Sequence, residues 1–147
     1  MNYIQGDLLQ TSREVIGHCV NNRGGFGSGI AGQIAKKYPH VRKAYLRSYK
    51  QGEYSIGKIQ LVRVNARQFI ANMCMIDTYG GPGIHIVYDA VGEAFTKLIK
   101  YCEERKFNIA IPKVGSGLAG GDWNRIAEII EKIMGNSPVE IDVYYLE

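Results

Sequence analysis

At 147 residues the chain is about one domain long, and 46% apolar with 22% charged residues is the balance of a globular protein with a single core. Eighteen Lys and Arg against 14 Asp and Glu leave a net charge of +4, scattered in pairs such as Lys36-Lys37 and Arg42-Lys43, which excludes a polycationic tail. No stretch approaches the roughly 20 apolar residues of a membrane span. Residues 1–7 lack the basic start and apolar run of a secretion signal, so a cytoplasmic protein with no membrane partner is expected. Cys19, Cys74 and Cys102 lie in apolar runs without C-x-x-C spacing, which argues against a disulfide scaffold or a zinc ribbon.

In chain order, residues 3–5 form a short strand and residues 15–20, Val-Ile-Gly-His-Cys-Val, a buried one. Residues 30–38 and 41–50 have helical periodicity and are separated by Pro39, which ends the first helix. The strands 58–64 and 68–75 flank Asn65-Ala66-Arg67 and so pair as a hairpin. Across 84–105 the apolar positions Ile84, Val87, Val91, Ala94, Leu98 and Cys102 repeat every three or four residues, as one face of a helix does. A strand at 108–112, a helix at 124–134 and a strand at 141–146 complete the chain. Without an internal repeat or linker, residues 1–147 are expected to form one domain. Its fold class is α/β: a three-layer αβα sandwich around a mixed, mostly parallel sheet whose hairpin supplies an antiparallel edge.

Glycine is overrepresented, at 18 of 147 residues, about 12% against a usual share of about 7%. Twelve of the 18 fall in three clusters, at 24–32, 80–83 and 115–121. The first and third follow strands and lead into helices, so they lie at the carboxyl edge of the sheet. There, helix N-termini offer unpaired N–H groups and glycine lets the backbone approach a ligand closely. Two such loops side by side can clamp a pyrophosphate.

Gly27-Ser28-Gly29-Ile30-Ala31-Gly32 matches G-x-G-x-x-G, but six residues separate it from the preceding strand and a second helix follows, which is not the nicotinamide-dehydrogenase context. No G-x-x-x-x-G-K-[ST] run offers a P-loop. The loop Gly115-Ser116-Gly117-Leu118-Ala119-Gly120-Gly121 has more glycines than a turn requires and reads as a phosphate cradle. Asp122 either caps the following helix or takes part in catalysis, and Trp123 covers the loop or the core. Asp7, after the first strand, is a turn residue or an acceptor for an exocyclic amine. His18, beside the first glycine loop, is a core histidine or a general acid/base. Cys19 belongs to the core. His40 and His85 have no partners at metal-ligand spacing, so neither a metal nor another cofactor is expected.

Three motifs in order resemble the macrodomain family of ADP-ribose-binding modules: Gly-Asp-Leu-Leu at 6–9, His-Cys-Val-Asn-Asn-Arg-Gly-Gly-Phe-Gly-Ser-Gly-Ile-Ala at 18–31, and Ile-Pro-Lys-Val-Gly-Ser-Gly-Leu-Ala-Gly-Gly-Asp-Trp at 111–123. The likeness covers essentially the whole chain. It is greatest to the branch of ADP-ribose-1''-phosphate phosphatases and terminal ADP-ribose glycohydrolases. It implies that Asp7, with Leu8, binds adenine, that Asn21 faces the distal ribose, and that Gly27, Ser28, Gly29 and Ile30 cover the ribose and diphosphate. It further implies that Gly115, Ser116, Gly117, Leu118, Ala119 and Gly120 hold the diphosphate and that Tyr145 lines the adenine pocket.

The glycohydrolases of this branch carry a lysine after the middle strand, where this chain has Ile76, and the protein-directed enzyme carries an aspartate near Ala119. His18 with Asn21 matches the phosphatase pattern instead, and the run from Asp77 to Gly81 resembles that branch's Gly-Gly loop. The resemblance therefore implies hydrolysis of an ADP-ribose ester such as the 1''-phosphate, with His18 and Asp122 as catalytic candidates. The alternatives are a non-catalytic ADP-ribose reader and a de-ADP-ribosylating glycohydrolase disfavoured by Ile76. The expected partner is ADP-ribose or an ADP-ribosylated substrate, not a nucleic acid.

Overall fold

The computed structural model describes residues 1–26, 29–77, 85–117 and 119–146. Its strands are β1 (Asn2–Gln5), β2 (Val15–Asn21), β3 (Ile59–Arg63), β4 (Phe69–Ile76), β5 (Ile109–Ile111) and β6 (Ile141–Tyr145). Its helices are α1 (Gly29–Lys37), α2 (Pro39–Lys50), α3 (Tyr88–Arg105) and α4 (Trp123–Met134). One six-stranded sheet runs in the order β1-β6-β5-β2-β4-β3. Every pairing is parallel except β3 with β4, the hairpin expected around Asn65-Ala66-Arg67.

Strand alternation divides the interior into two cores, one on each face of the sheet. Val15, Ala71, Met73 and Ile109 pack with α3 and α4 residues such as Phe95, Leu98, Ile126 and Ile130, while Ile16, Val20, Ile70 and Cys74 pack with Ile34, Val41 and Tyr45 of α1 and α2. The layers are therefore helix, sheet, helix. Phe95 and Ile126 are fully buried, and truncating either to Ala would cost about 2 to 5 kcal/mol.

Local chemistry sets the element ends. Pro39 is the first residue of α2, where its missing N–H costs nothing. Asp122 caps α4 by accepting the Asn124 N–H at 3.0 Å. The helix expected from residue 84 begins at Tyr88: Ile86 is instead buried in an antiparallel bridge to Ile76, and Val87 is the N-cap. Residue 84 lies outside the described residues.

The structure also gathers charge that is scattered in the sequence. Residues 29–50 carry Lys36, Lys37, Arg42, Lys43, Arg47 and Lys50 and no carboxylate, leaving 12 cations against 14 acids in the rest of the chain. All six are exposed on the α1/α2 layer.

Candidate functional site

Five neighbouring strands run parallel, so the segments following β1, β6, β5, β2 and β4 emerge along one edge. Two cavities lie there. The smaller, of about 230 Å³, is lined by Gly6, Asp7, Leu8, Ile30, Gln33, Pro112, Lys113, Tyr144, Tyr145 and Leu146. The larger, of about 440 Å³, runs from His18, Asn21 and Phe26 past Ile76 to Gly115, Gly117 and Ala119. Ile30, Pro112 and Lys113 line both, so the two form one cleft across the sheet edge. Their volumes are in the range of small-ligand sites. A broader groove of about 970 Å³ between α3 and α4 has Asp89, Glu93, Lys97, Arg125, Glu128 and Lys132 on its walls. It contains neither glycine loop and no buried polar group, and the sheet edge is the better candidate for chemistry.

At the small end, Asp7 is exposed and uses Oδ1 to accept the Leu9 N–H at 2.9 Å, capping a 3-10 turn at Leu8–Gln10. Among the described residues no donor meets its second oxygen, so turn residue and ligand acceptor are compatible roles. Leu8 is buried beneath it. Tyr145 forms the opposite wall, with the Lys113 ammonium 5.6 Å from its ring centroid. Lys113 has no role in the sequence reading, although it stands in the Ile-Pro-Lys-Val-Gly motif. The structure makes it the cation at the junction of the two cavities.

The loop after β2 is laced from within. Asn21 Oδ1 accepts the N–H groups of Arg23 and Gly25 at 2.9 and 3.0 Å, and Asn21 Nδ2 donates to Gly25 O at 3.1 Å. The fully buried Tyr45 hydroxyl donates to Asn21 O at 2.6 Å and accepts the Gly24 N–H at 2.9 Å. Arg42 Nε donates to Phe26 O at 3.0 Å. Asn21 thus spends most of its hydrogen-bonding capacity on the loop while still lining the cleft. Sequence reasoning gave no part to Tyr45 or Arg42; a tyrosine on the buried face of a helix, whose hydroxyl must find a partner, is the signal for the first. Gly29 and Ile30 open α1 beside this loop, so its N-terminal N–H groups face the cleft region. Gly27 and Ser28 lie outside the described residues.

The second glycine loop closes through Gly121 N–H to Gly115 O at 2.8 Å and Gly120 N–H to Gly117 O at 3.0 Å. Gly115, Gly117 and Ala119 line the cleft; Ser116 Oγ instead donates to Lys113 O at 2.7 Å. Gly120 is exposed, and Leu118 lies outside the described residues. Asp122 lines neither cavity: its carboxylate caps α4 and its N–H donates to the Tyr88 hydroxyl at 3.0 Å. Trp123 is half-buried, donating to the Tyr3 hydroxyl at 3.2 Å across the sheet edge.

His18 is 1% exposed, in edge-to-face contact with Phe26, and its Nε2 lies 2.6 Å from Asn72 Oδ1. Burial lowers its pKa to about 4, against the opposing effect of the Asn72 hydrogen bond, so the ring is neutral at pH 7. That removes the imidazolium as a proton donor and leaves His18 an acceptor. Cys19, expected in the core, is half-buried and lines the larger cavity, and burial pushes its thiol up to about 12, so it is not an activated nucleophile. Ile76 stands on the cleft wall, an apolar side chain where the glycohydrolase pattern has an amine.

The Macro domain family model matches residues 18–130, most of the chain. The chain belongs to the Macro domain family. It is 30% identical over 132 residues to a Mycobacterium tuberculosis protein named DNA ADP-ribosyl glycohydrolase, a match covering 87% of this chain and 37% of that protein. The chain thus spans little more than a third of that relative. It is 24% identical to the ADP-ribose 1''-phosphate phosphatase of Lodderomyces elongisporus, over 100% of this chain and 99% of that one. The solved macrodomain of Mycobacterium tuberculosis DarG superposes with a TM-score of 0.85 at 27% identity, covering 97% of this chain and 95% of that one. The αβα arrangement is the macrodomain fold.

Among the described residues no helix is long and apolar enough to cross a membrane.

Proposed function

We propose that residues 1–147 act as one ADP-ribose-binding module that hydrolyses an ADP-ribose ester such as the 1''-phosphate. The observation that carries this reading is the single cleft along the sheet edge, with a half-free carboxylate at its narrow end and a neutral buried imidazole at its wide end. In this reading adenine occupies the small cavity and donates its amine to Asp7, while Tyr145 and Leu8 supply apolar walls. The diphosphate lies between the N-terminus of α1 and the loop at 115–120, held by backbone N–H groups, with Lys113 adding a positive charge from the junction of the two cavities. The distal ribose then extends toward His18 and Asn21.

His18 accepts a hydrogen bond from a distal-sugar hydroxyl and so fixes the ester for attack by water, and loop N–H groups stabilise negative charge developing on phosphate oxygens. The names of the Lodderomyces and mycobacterial relatives support ADP-ribose chemistry. Ile76 on the cleft wall favours the phosphatase reading over lysine-dependent glycohydrolysis. Asp122, as a helix cap outside both cavities, is the weaker of the two catalytic candidates.

A reader without turnover is the second reading. It is favoured by one observation: of the described residues lining the wide cavity, only His18, Cys19 and Lys113 are titratable, and burial holds His18 neutral and Cys19 as the thiol. Phosphate release from ADP-ribose-1''-phosphate, measured on protein that calorimetry shows to bind ADP-ribose, separates the two. Release supports the enzyme; binding without release supports the reader.

A further inference from the structure

His18, Asn72 and Gln60 stand on one cross-strand row. His18 of β2 is the register partner of Asn72 of β4, which is the register partner of Gln60 of β3. Gln60 Nε2 donates to the backbone carbonyl of Ala44 in α2 at 3.1 Å, Asn72 Nδ2 donates to Gln60 Oε1 at 3.0 Å, and His18 Nε2 meets Asn72 Oδ1 at 2.6 Å. The direction of this chain is fixed from its far end. A backbone carbonyl only accepts, so Gln60 must present its amide nitrogen to Ala44 and its oxygen to Asn72. That oxygen takes an N–H from Asn72, whose own oxygen is left facing the ring. An oxygen there requires a proton on Nε2, and in a neutral imidazole the lone pair is then on Nδ1.

Nδ1 is also the one buried side-chain nitrogen or oxygen without a hydrogen-bond partner among the described residues, in a ring on the wall of the 440 Å³ cavity. Buried polar atoms almost always find partners, and an exception calls for a reason. The row itself is well supported: Asn72 is fully buried, and the Tyr54 hydroxyl donates to its backbone carbonyl.

We infer that Asn72 and Gln60 are positioning residues of the cleft, locking His18 in its Nε2–H tautomer so that Nδ1 accepts a hydrogen bond from a hydroxyl of the bound ligand's distal sugar. The hydroxyl's source rests on the ADP-ribose reading; the locked tautomer does not. Neither Asn72 nor Gln60 lines either cavity of the cleft, so both act through His18. The orientation originates at a helix carbonyl on the far side of a three-strand row.

The test is nitrogen NMR of the histidine rings in 15N-labelled protein. With only His18, His40 and His85 present, a His18→Gln variant assigns the resonances. Wild type at pH 7 is expected to show His18 neutral with the proton on Nε2. Gln60→Leu removes the anchor and lets the Asn72 amide turn, so a substantial Nδ1–H population is expected, with turnover of the ester lowered about tenfold and affinity for ADP unchanged within about twofold. Gln60→Glu loses the donor to Ala44 but offers Asn72 only acceptor oxygens, so it is expected to keep the wild-type tautomer, which a merely space-filling role would not distinguish from Leu. Saturating ADP-ribose is expected to shift the Nδ1 resonance, and ADP, which lacks the distal sugar, to leave it in place.

A wild-type ring protonated on Nδ1, or charged at pH 7, overturns the relay. So does a Gln60→Leu spectrum identical to wild type, and an Nδ1 resonance unmoved by bound ADP-ribose overturns the hydroxyl contact. Should Gln60→Leu not fold, the wild-type and Gln60→Glu spectra decide the tautomer. Should ADP-ribose not bind, the ligand-free spectra still decide the relay, so that failure is a separate result.

Discussion

The glycines of the second loop are not equivalent, and the difference gives a test of what the loop does. A Cβ on Gly121 would sit 2.6 Å from Gly115 O, and one on Gly115, whose φ is +74°, would sit 2.6 Å from Ile86 Cδ1. Those two positions are held by the protein's own packing. A Cβ on Gly117 meets nothing within 4 Å, and Gly117 lines the cleft. Gly117→Val therefore fills the cleft rather than the protein. Its effect on stability should stay within about 1 kcal/mol, because a non-left-handed glycine is replaced without a clash. Keeping the diphosphate from the loop forfeits one backbone hydrogen bond to a charged group or more, about 1.5 to 3 kcal/mol each, which is roughly 10- to 100-fold in Kd. Calorimetry with ADP-ribose and a thermal melt on one preparation read both quantities. Gly121→Ala should give the opposite pattern, a lowered Tm. A Gly117→Val protein that binds ADP-ribose with wild-type affinity would refute the cradle.

Asp7→Ala should weaken ADP-ribose about tenfold or more through the lost charged acceptor, and cost about 1 kcal/mol of stability through the lost cap on Leu9; calorimetry and denaturant unfolding measure the two. His18 binds its proton less readily folded than unfolded, so the unfolded chain takes up protons first as pH falls from about 6.5 toward the folded pKa of about 4. Stability is full above that window and should fall across it by about 3 kcal/mol, and His18→Gln should flatten this slope in urea unfolding at stepped pH. The same variant should lower ester turnover by about 10²-fold, with a much smaller change in ADP-ribose affinity, if His18 fixes the ester for attack by water. Six exposed cations lie on α1 and α2, and α1 opens at the cleft, so stopped-flow association of ADP-ribose should slow as salt rises from about 20 to about 300 mM and lose that dependence when Lys36, Arg42 and Lys43 are neutralised.

Local signals in the sequence were sufficient for most elements. Pro39 divides α1 from α2, Asn65-Ala66-Arg67 turns the hairpin, and two strand-to-helix glycine loops lie on a shared edge because the strands before them are parallel. The start of α3 was not legible: Ile84 and Val87 continue the helical stripe, but Ile86 pairs with Ile76, a partner distant in sequence that periodicity cannot declare. The same limit hides the site's supports. Tyr45 and Arg42 hold the first loop from a helix some twenty residues on, and the His18-Asn72-Gln60 row exists only because β4 lies between β2 and β3. Asp122 was legible as a helix cap from its place before Trp123, and its distance from the cleft was not. The gathering of six cations on one layer likewise follows from how α1 and α2 pack together, which no residue pair announces.

The central claim is that this sheet edge is an ADP-ribose site, and calorimetry of the intact chain with ADP-ribose tests it most directly. The expected result is saturable binding of one ADP-ribose per chain, competed by ADP and weakened by both Asp7→Ala and Gly117→Val, which stand in different parts of the cleft. No detectable heat and no rise in Tm at millimolar ADP-ribose, from protein that melts cooperatively, would contradict it.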